Sequence, residues 1–220
     1  MGDRTWLSAW RGAFLALTAA FWLWQFTTAE LAQFGWQFRF LTNWGLTLSL
    51  AHAVLAWRAF RVPGAEPPET LAVVAALVNG LVIYLYWSIR LSGGGLGDGP
   101  IWSVNNLYLH AVGPGLQIVD AVLVLQVFRH PIRAVPAFIA LVVAFIAWIE
   151  FAVAPLNATP IGSVTSGLPY PFLNDLDPGE RATFYGQAAT GGLLLMLVFH
   201  IVTRVLAPNG RGAGGAAPAE

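Results

Sequence analysis

The sequence predicts an all-α polytopic membrane protein, a bundle of six transmembrane helices with both termini cytoplasmic, and three observations carry that expectation. The 220-residue chain is 57% hydrophobic and only 10% charged, with a mean hydropathy of +0.64, too apolar for a soluble domain with an ordinary polar surface. Six apolar runs are each long enough to cross a hydrocarbon core, which takes roughly 20 helical residues. The arginines are spread unequally between the two ends of those runs.

The runs are, in order, about Ala13 to Leu31, Phe40 to Phe60, Leu71 to Ile89, Val104 to Phe128, Ala134 to Val153 and Ala182 to Leu206. RVPGAEPPET separates the second from the third, SGGGLGDGP the third from the fourth, and RHPIRAVP the fourth from the fifth. A long loop, PLNATPIGSVTSGLPYPFLNDLDPGE, precedes the last. Gly and Pro clusters end helices, and in lipid the backbone must satisfy its own hydrogen bonds, so each run reads as a helix. The first run lacks a small-residue cleavage site and reads as a retained span.

Arg4, Arg11, Arg58, Arg61, Arg129, Arg133, Arg204 and Arg211 fall on one side, against Arg39, Arg90 and Arg181 on the other. Positive charge stays cytoplasmic, which puts both termini inside and predicts a multi-pass protein of the cell inner membrane. Residues 1–206 form one transmembrane domain, and the low-complexity stretch 207–220 reads as a disordered cytoplasmic tail. The loop before the last span is then extracytoplasmic, and Pro169, Tyr170, Pro171 and Phe172 are expected to fold back over the outer mouth of the bundle.

Several chemistries are excluded. The chain has no cysteine, hence no disulfide, thiolate metal site or cysteine nucleophile. All eleven basic residues are arginine, so no cofactor can be held through a lysine Schiff base. The net charge is zero and no basic block occurs, which leaves nucleic acid out as a partner. No G-x-S-x-G, H-E-x-x-H or phosphate-binding glycine motif is present. Neither a metal nor a cofactor is expected.

Orientation converts sequence positions into depths at about 1.5 Å of rise per residue. Thr42 then lies roughly 3 Å below the outer end of its helix, His110 roughly 9 Å and Glu150 about 5 Å. His52, Asp120 and His200 form a deeper layer, some 18 to 26 Å down. Asp120 with His200 reads as a structural hydrogen bond, and Arg39 as an anchor at the interface. Pro114 has no N–H, so the His110 carbonyl loses its intrahelical partner, and Gly113 and Gly115 loosen the same turn. Asp120 is about 15 Å further along the helix and cannot orient His110, so an orienting acceptor is expected from another helix or from water.

FRFLTNWGL in the second run, LYLHAVGPGLQIVD in the fourth and the LPYPFLNDLD loop resemble the androgen-induced-gene family of six-span membrane proteins, in particular its bacterial branch. The resemblance implies an intramembrane threonine hydrolase of fatty acid esters of hydroxy fatty acids or similar lipid esters. The threonine of the F-x-F/Y-x-T segment falls on Thr42 and the histidine of the H-x-x-x-P segment on His110. The chain departs from the bacterial pattern after that threonine, with Asn43, Trp44 and Gly45 in place of T-x-Q-S-N.

On this reading Thr42 is the nucleophile and His110 its base, because a hydroxyl attacks an ester only as its proton is taken away. Asn43, Asn105, Asn106, Tyr170 or a free N–H at the start of the second helix would hold the oxyanion. Glu150 is the expected orienter of His110. The partner is a lipid or fatty-acyl ester entering from the membrane. Two other functions fit the intramembrane polar residues: a transporter or channel using Asp120, His52 and His200, and a haem protein with histidine axial ligands.

Overall fold

A computed structural model describes residues 2–92, 102–159 and 167–206. Most of the SGGGLGDGP breaker, the middle of the long loop and the 207–220 tail lie outside them. Among the described residues the chain is all-α, with no strand. Six long helical segments make up the bundle: α1, Gly2–Thr28; α2, Leu41–Arg61; α3, Glu69–Leu91; α4, Val104–Val124; α5, Pro131–Leu156; and α6, Pro178–Leu206. A 3₁₀ turn, Trp36–Arg39, leads into α2, and a short helix, Pro171–Asn174, precedes α6.

Four of these, α3 to α6, are long and apolar enough to cross a membrane. The other two are as long but more polar, because their polar side chains face inward: Arg11, Thr18 and Gln25 on α1 and Asn43, Ser49 and His52 on α2 are all buried. The first helix begins at Gly2, well before the apolar run that marks it in the sequence. Its early turns are held by a long-range polar contact, in which Arg11 Nη1 donates to both Asp120 oxygens at 2.7 and 2.6 Å and the Trp10 indole to Oδ1 at 2.6 Å. A buried charge persists where it is paired and hydrogen-bonded.

The centre of the bundle is α3. Its apolar window is 61% buried, against 17% for α6, and every residue from Ala72 to Val82 is buried. Small side chains in that run, AVVAALVNG, let neighbours approach on all sides. Asn79 uses the proximity, its Nδ2 donating to Ala75 O, Ser49 Oγ and Gly45 O at 2.8, 3.0 and 3.2 Å. The main core joins Leu77 and Val78 to Phe128, Phe138 and Met196. A second cluster unites Ile149 and Val153 of α5 with Leu168 and Leu173 of the loop, so the loop packs onto the bundle. By contrast α6 leaves Leu194, Leu197, Val198 and Ile201 exposed on its outer side, an apolar surface suited to lipid.

Candidate functional site

At the N-terminal end of α2 the backbone changes from extended to helical at Phe40, which has no capping side chain. Other groups fix the junction. The indoles of Trp44 and Trp148 donate to Phe38 O at 2.7 and 3.1 Å, and the Leu41 amide donates to the Tyr170 hydroxyl at 2.9 Å. Thr42 follows on the first turn, where amides have no intrahelical acceptor; among the described residues its own N–H has no acceptor.

His110 stands on α4 within a π-helical turn, Tyr108–Val112. A π turn shifts the hydrogen-bond register by one residue, and Pro114 accounts for the disturbance by removing an amide. The freed His110 carbonyl finds another donor, the Trp87 indole N–H at 2.9 Å. Thr42 Oγ1 and His110 Nε2 are 3.3 Å apart.

The other ring nitrogen settles the tautomer. His110 Nδ1 lies 3.1 Å from the Asn106 carbonyl oxygen and 3.0 Å from Asn106 Oδ1. A main-chain carbonyl can only accept, so Nδ1 carries the proton and Nε2 presents its lone pair to the Thr42 hydroxyl. Tyr86 of α3 completes the support: its ring stacks on the imidazole with centroids 3.7 Å apart at 11°, and its hydroxyl donates to Asn106 Oδ1 at 2.9 Å.

Thr42 and His110 line a cavity of ≈ 920 Å³, near the upper end of the roughly 300–1,000 Å³ usual for ligand pockets. Its walls come from all six helices, from the Trp36–Arg39 turn and from the loop residues Pro169 to Leu173. Most of the lining is apolar, with Val82, Leu85, Phe145 and Ile149 among it. Tyr170 packs against Phe40 at the cavity wall. Burial pushes its hydroxyl up to about 12, with the Leu41 amide partly offsetting that, so the phenol keeps its proton.

The structure brings some of the expected residues together and separates others. Thr42, His110, Asn106, Asn43 and Tyr170 all line the one cavity. Asn106 orients the imidazole, so the acceptor comes from the same helix, one turn earlier, and from neither another helix nor water. Glu150 does not touch His110. Its Oε1 accepts from Arg181 Nε at 3.0 Å and from the Tyr185 hydroxyl at 2.7 Å, an ion pair that ties α5 to α6. Asp120 does not bond His200; it is held by Arg11 and Trp10, with His52 Nε2 at 3.5 Å. His200 Nδ1 donates instead to Phe128 O at 2.6 Å, and His52 Nδ1 to Gln117 Oε1 at 3.0 Å. Arg39 is not an exposed anchor but is buried in the cavity wall.

Tyr86, Trp87 and the cavity role of Arg39 escape sequence reasoning. Aromatic residues near a span's end read equally well as an interfacial belt. For Asn106 a signal was present: it and His110 are spaced i, i+4 and share a helix face. Compared with known protein families, curated proteins and solved structures, the chain matches none.

Proposed function

We propose that the protein is an intramembrane hydrolase of lipid esters, spanning the inner membrane six times with both termini cytoplasmic, in which Thr42 is the nucleophile and His110 the general base. The observation that carries this reading is the Thr42–His110 contact at the wall of a large apolar cavity. The arginine distribution supports the topology, and the inward polar faces of α1 and α2 are compatible with their being the two remaining spans. The resemblance to the androgen-induced-gene family implies fatty acid esters of hydroxy fatty acids, or similar esters, as substrates.

The chemistry follows from the tautomer. His110 Nε2 takes the threonine proton as Oγ1 attacks the ester carbonyl, and Nδ1–H stays on Asn106 as the imidazolium forms. At 3.3 Å the contact is long for an O–H···N bond, as such contacts are before substrate is bound. The tetrahedral oxyanion is met by the free amide of Thr42 at the positive end of α2. Collapse of the intermediate expels the alcohol, which takes its proton from His110, and leaves an acyl-threonine; water activated by the same imidazole then releases the acid. Acyl chains lie along Val82, Leu85 and Phe145.

The test is activity-based labelling of membranes with a fluorophosphonate probe. Wild type and Thr42→Ser are expected to label, while Thr42→Ala and His110→Ala are not. Labelling that survives Thr42→Ala would remove Thr42 as the nucleophile.

A further inference from the structure

The cavity wall also holds a cation that the proposed reaction does not use. Arg39 is 3% exposed, lines the cavity, and has no hydrogen-bond partner for Nε or Nη1 among the described residues. Gln37, 5% exposed, lines the same wall with both of its side-chain amide atoms unpartnered. A guanidinium keeps its charge in a protein, and leaving it buried without an acceptor is strongly unfavourable. Its one favourable neighbour on its own segment is the Phe40 ring, 4.9 Å from Cζ. Glu30 faces the same cavity and its charge acts on Arg39 through space, but it is exposed and forms no ion pair with Arg39 among the described residues. A buried cationic side chain, with Nε and Nη1 unpartnered among the described residues, therefore forms part of the wall of a cavity that is otherwise largely apolar.

We propose that Arg39 and Gln37 form an anion-binding subsite, which holds the carboxylate or phosphate head of an amphiphile whose chain fills the cavity. The fork geometry of guanidinium matches both oxyanions in bidentate fashion, and the Gln37 amide supplies a further donor. Arg39 precedes Thr42 by three residues, so their Cα atoms are at most about 11 Å apart. The ligand thus carries its charge close to the bond that is cut. The position of that bond rests on the hydrolase reading; the binding of the charged head does not.

The experiment measures equilibrium binding to the full chain in a neutral detergent, on a Thr42→Ala background so that nothing is turned over. Radiolabelled oleate, oleyl phosphate and methyl oleate are the probes, with the same tail and a carboxylate, a phosphate or no charge. One of the two anions is expected to bind at least about ten-fold more tightly than methyl oleate, and the tighter one identifies the head. Arg39→Gln is expected to weaken it by about ten- to a hundred-fold, the range of a lost charge-assisted pair, and to change methyl oleate by less than about two-fold. An arginine with a structural role alone would lower thermal stability without changing the preference for the charged probe.

Equal binding of charged and neutral probes by the Arg39-containing protein would overturn the subsite, as would anion binding unchanged in Arg39→Gln. Should Arg39→Gln fail to fold, Arg39→Lys and Gln37→Leu decide, each expected to weaken the anion several-fold; no change in both overturns the proposal. Arg39-dependent anion binding in a protein that fluorophosphonate does not label would remove the hydrolase and leave the subsite. Labelling at Thr42 without charge preference would do the reverse.

Discussion

The Trp87 indole N–H donates to the His110 carbonyl at 2.9 Å, the one acceptor that Pro114 leaves without an α-helical amide. Two local irregularities thereby become a fixed ring position: the π turn at Tyr108–Val112 rotates His110 toward α2, and α3 supplies the missing donor. Trp87→Phe keeps most of the packing but leaves a half-buried carbonyl unsatisfied. It is expected to cost about 1–3 kcal/mol of stability, read as a lowered melting temperature in detergent. Fluorophosphonate labelling should slow without vanishing, because the imidazole itself remains.

The imidazole's orientation has two acceptors, and their separate removal has different consequences. Asn106→Ala removes Oδ1 but leaves the main-chain carbonyl 3.1 Å from Nδ1, so the tautomer persists. Labelling is expected to fall by roughly ten-fold, well short of the roughly 10²–10⁴-fold expected of His110→Ala under the proposed role of the imidazole as general base. Tyr86→Phe keeps the stack at 3.7 Å and loses only the hydroxyl's bond to Asn106, so it should resemble Asn106→Ala or be milder. Tyr86→Leu, which loses the stack as well, should be the more severe. Rates of probe labelling at one concentration give the ordering.

Tyr170 sets a pH dependence whose sign can be worked out. Its hydroxyl titrates at about 12 in the folded chain, because of burial, against about 10 unfolded. Between those values the unfolded chain has released a proton that the fold retains, so stability falls as pH rises, and below about 10 the group contributes no slope. Tyr170→Phe removes the acceptor for the Leu41 amide and should be less stable at pH 8. The gap between wild type and Tyr170→Phe is expected to narrow from pH 10 to 12. A constant gap across that range in thermal melts would mean that the phenol is not held neutral by its surroundings.

The order of the six long helices is readable because apolar runs bounded by Gly and Pro clusters favour helix, and the runs from Phe40 and Leu71 lie within two residues of α2 and α3 at both ends; four of the six are long and apolar enough to cross a membrane. The start of α1 was not readable, since Trp10 and Arg11 are helical for the sake of Asp120, more than a hundred residues away. Rise arithmetic places Thr42 and His110 in one layer, and they meet. The same arithmetic places Glu150 there too, yet it belongs to Arg181 and Tyr185. Depth is one coordinate of three, and the rotation of a helix about its axis decides which neighbours a side chain meets. Rotation shows in a periodic apolar face, and α5, apolar all round, has none to show.

Packing of the last helix gives a test of that rotation. Gly192 of α6 faces Phe138 of α5 so closely that an added Cβ would overlap the ring, and Phe138 is fully buried in the main core, with no space into which to turn. Gly192→Ala is therefore expected to destabilise the bundle by about 1–3 kcal/mol, the usual penalty of overpacking. Gly186 lies on the same helix with nothing within 4 Å of its Cβ position. There the only effect of alanine is its better helix propensity, about 1 kcal/mol in favour of the variant. The two substitutions are chemically identical and should move the melting temperature in opposite directions. Equal shifts would mean that α6 presents a different face to α5, and with it that the Tyr185–Glu150 bond on that helix pair is not made.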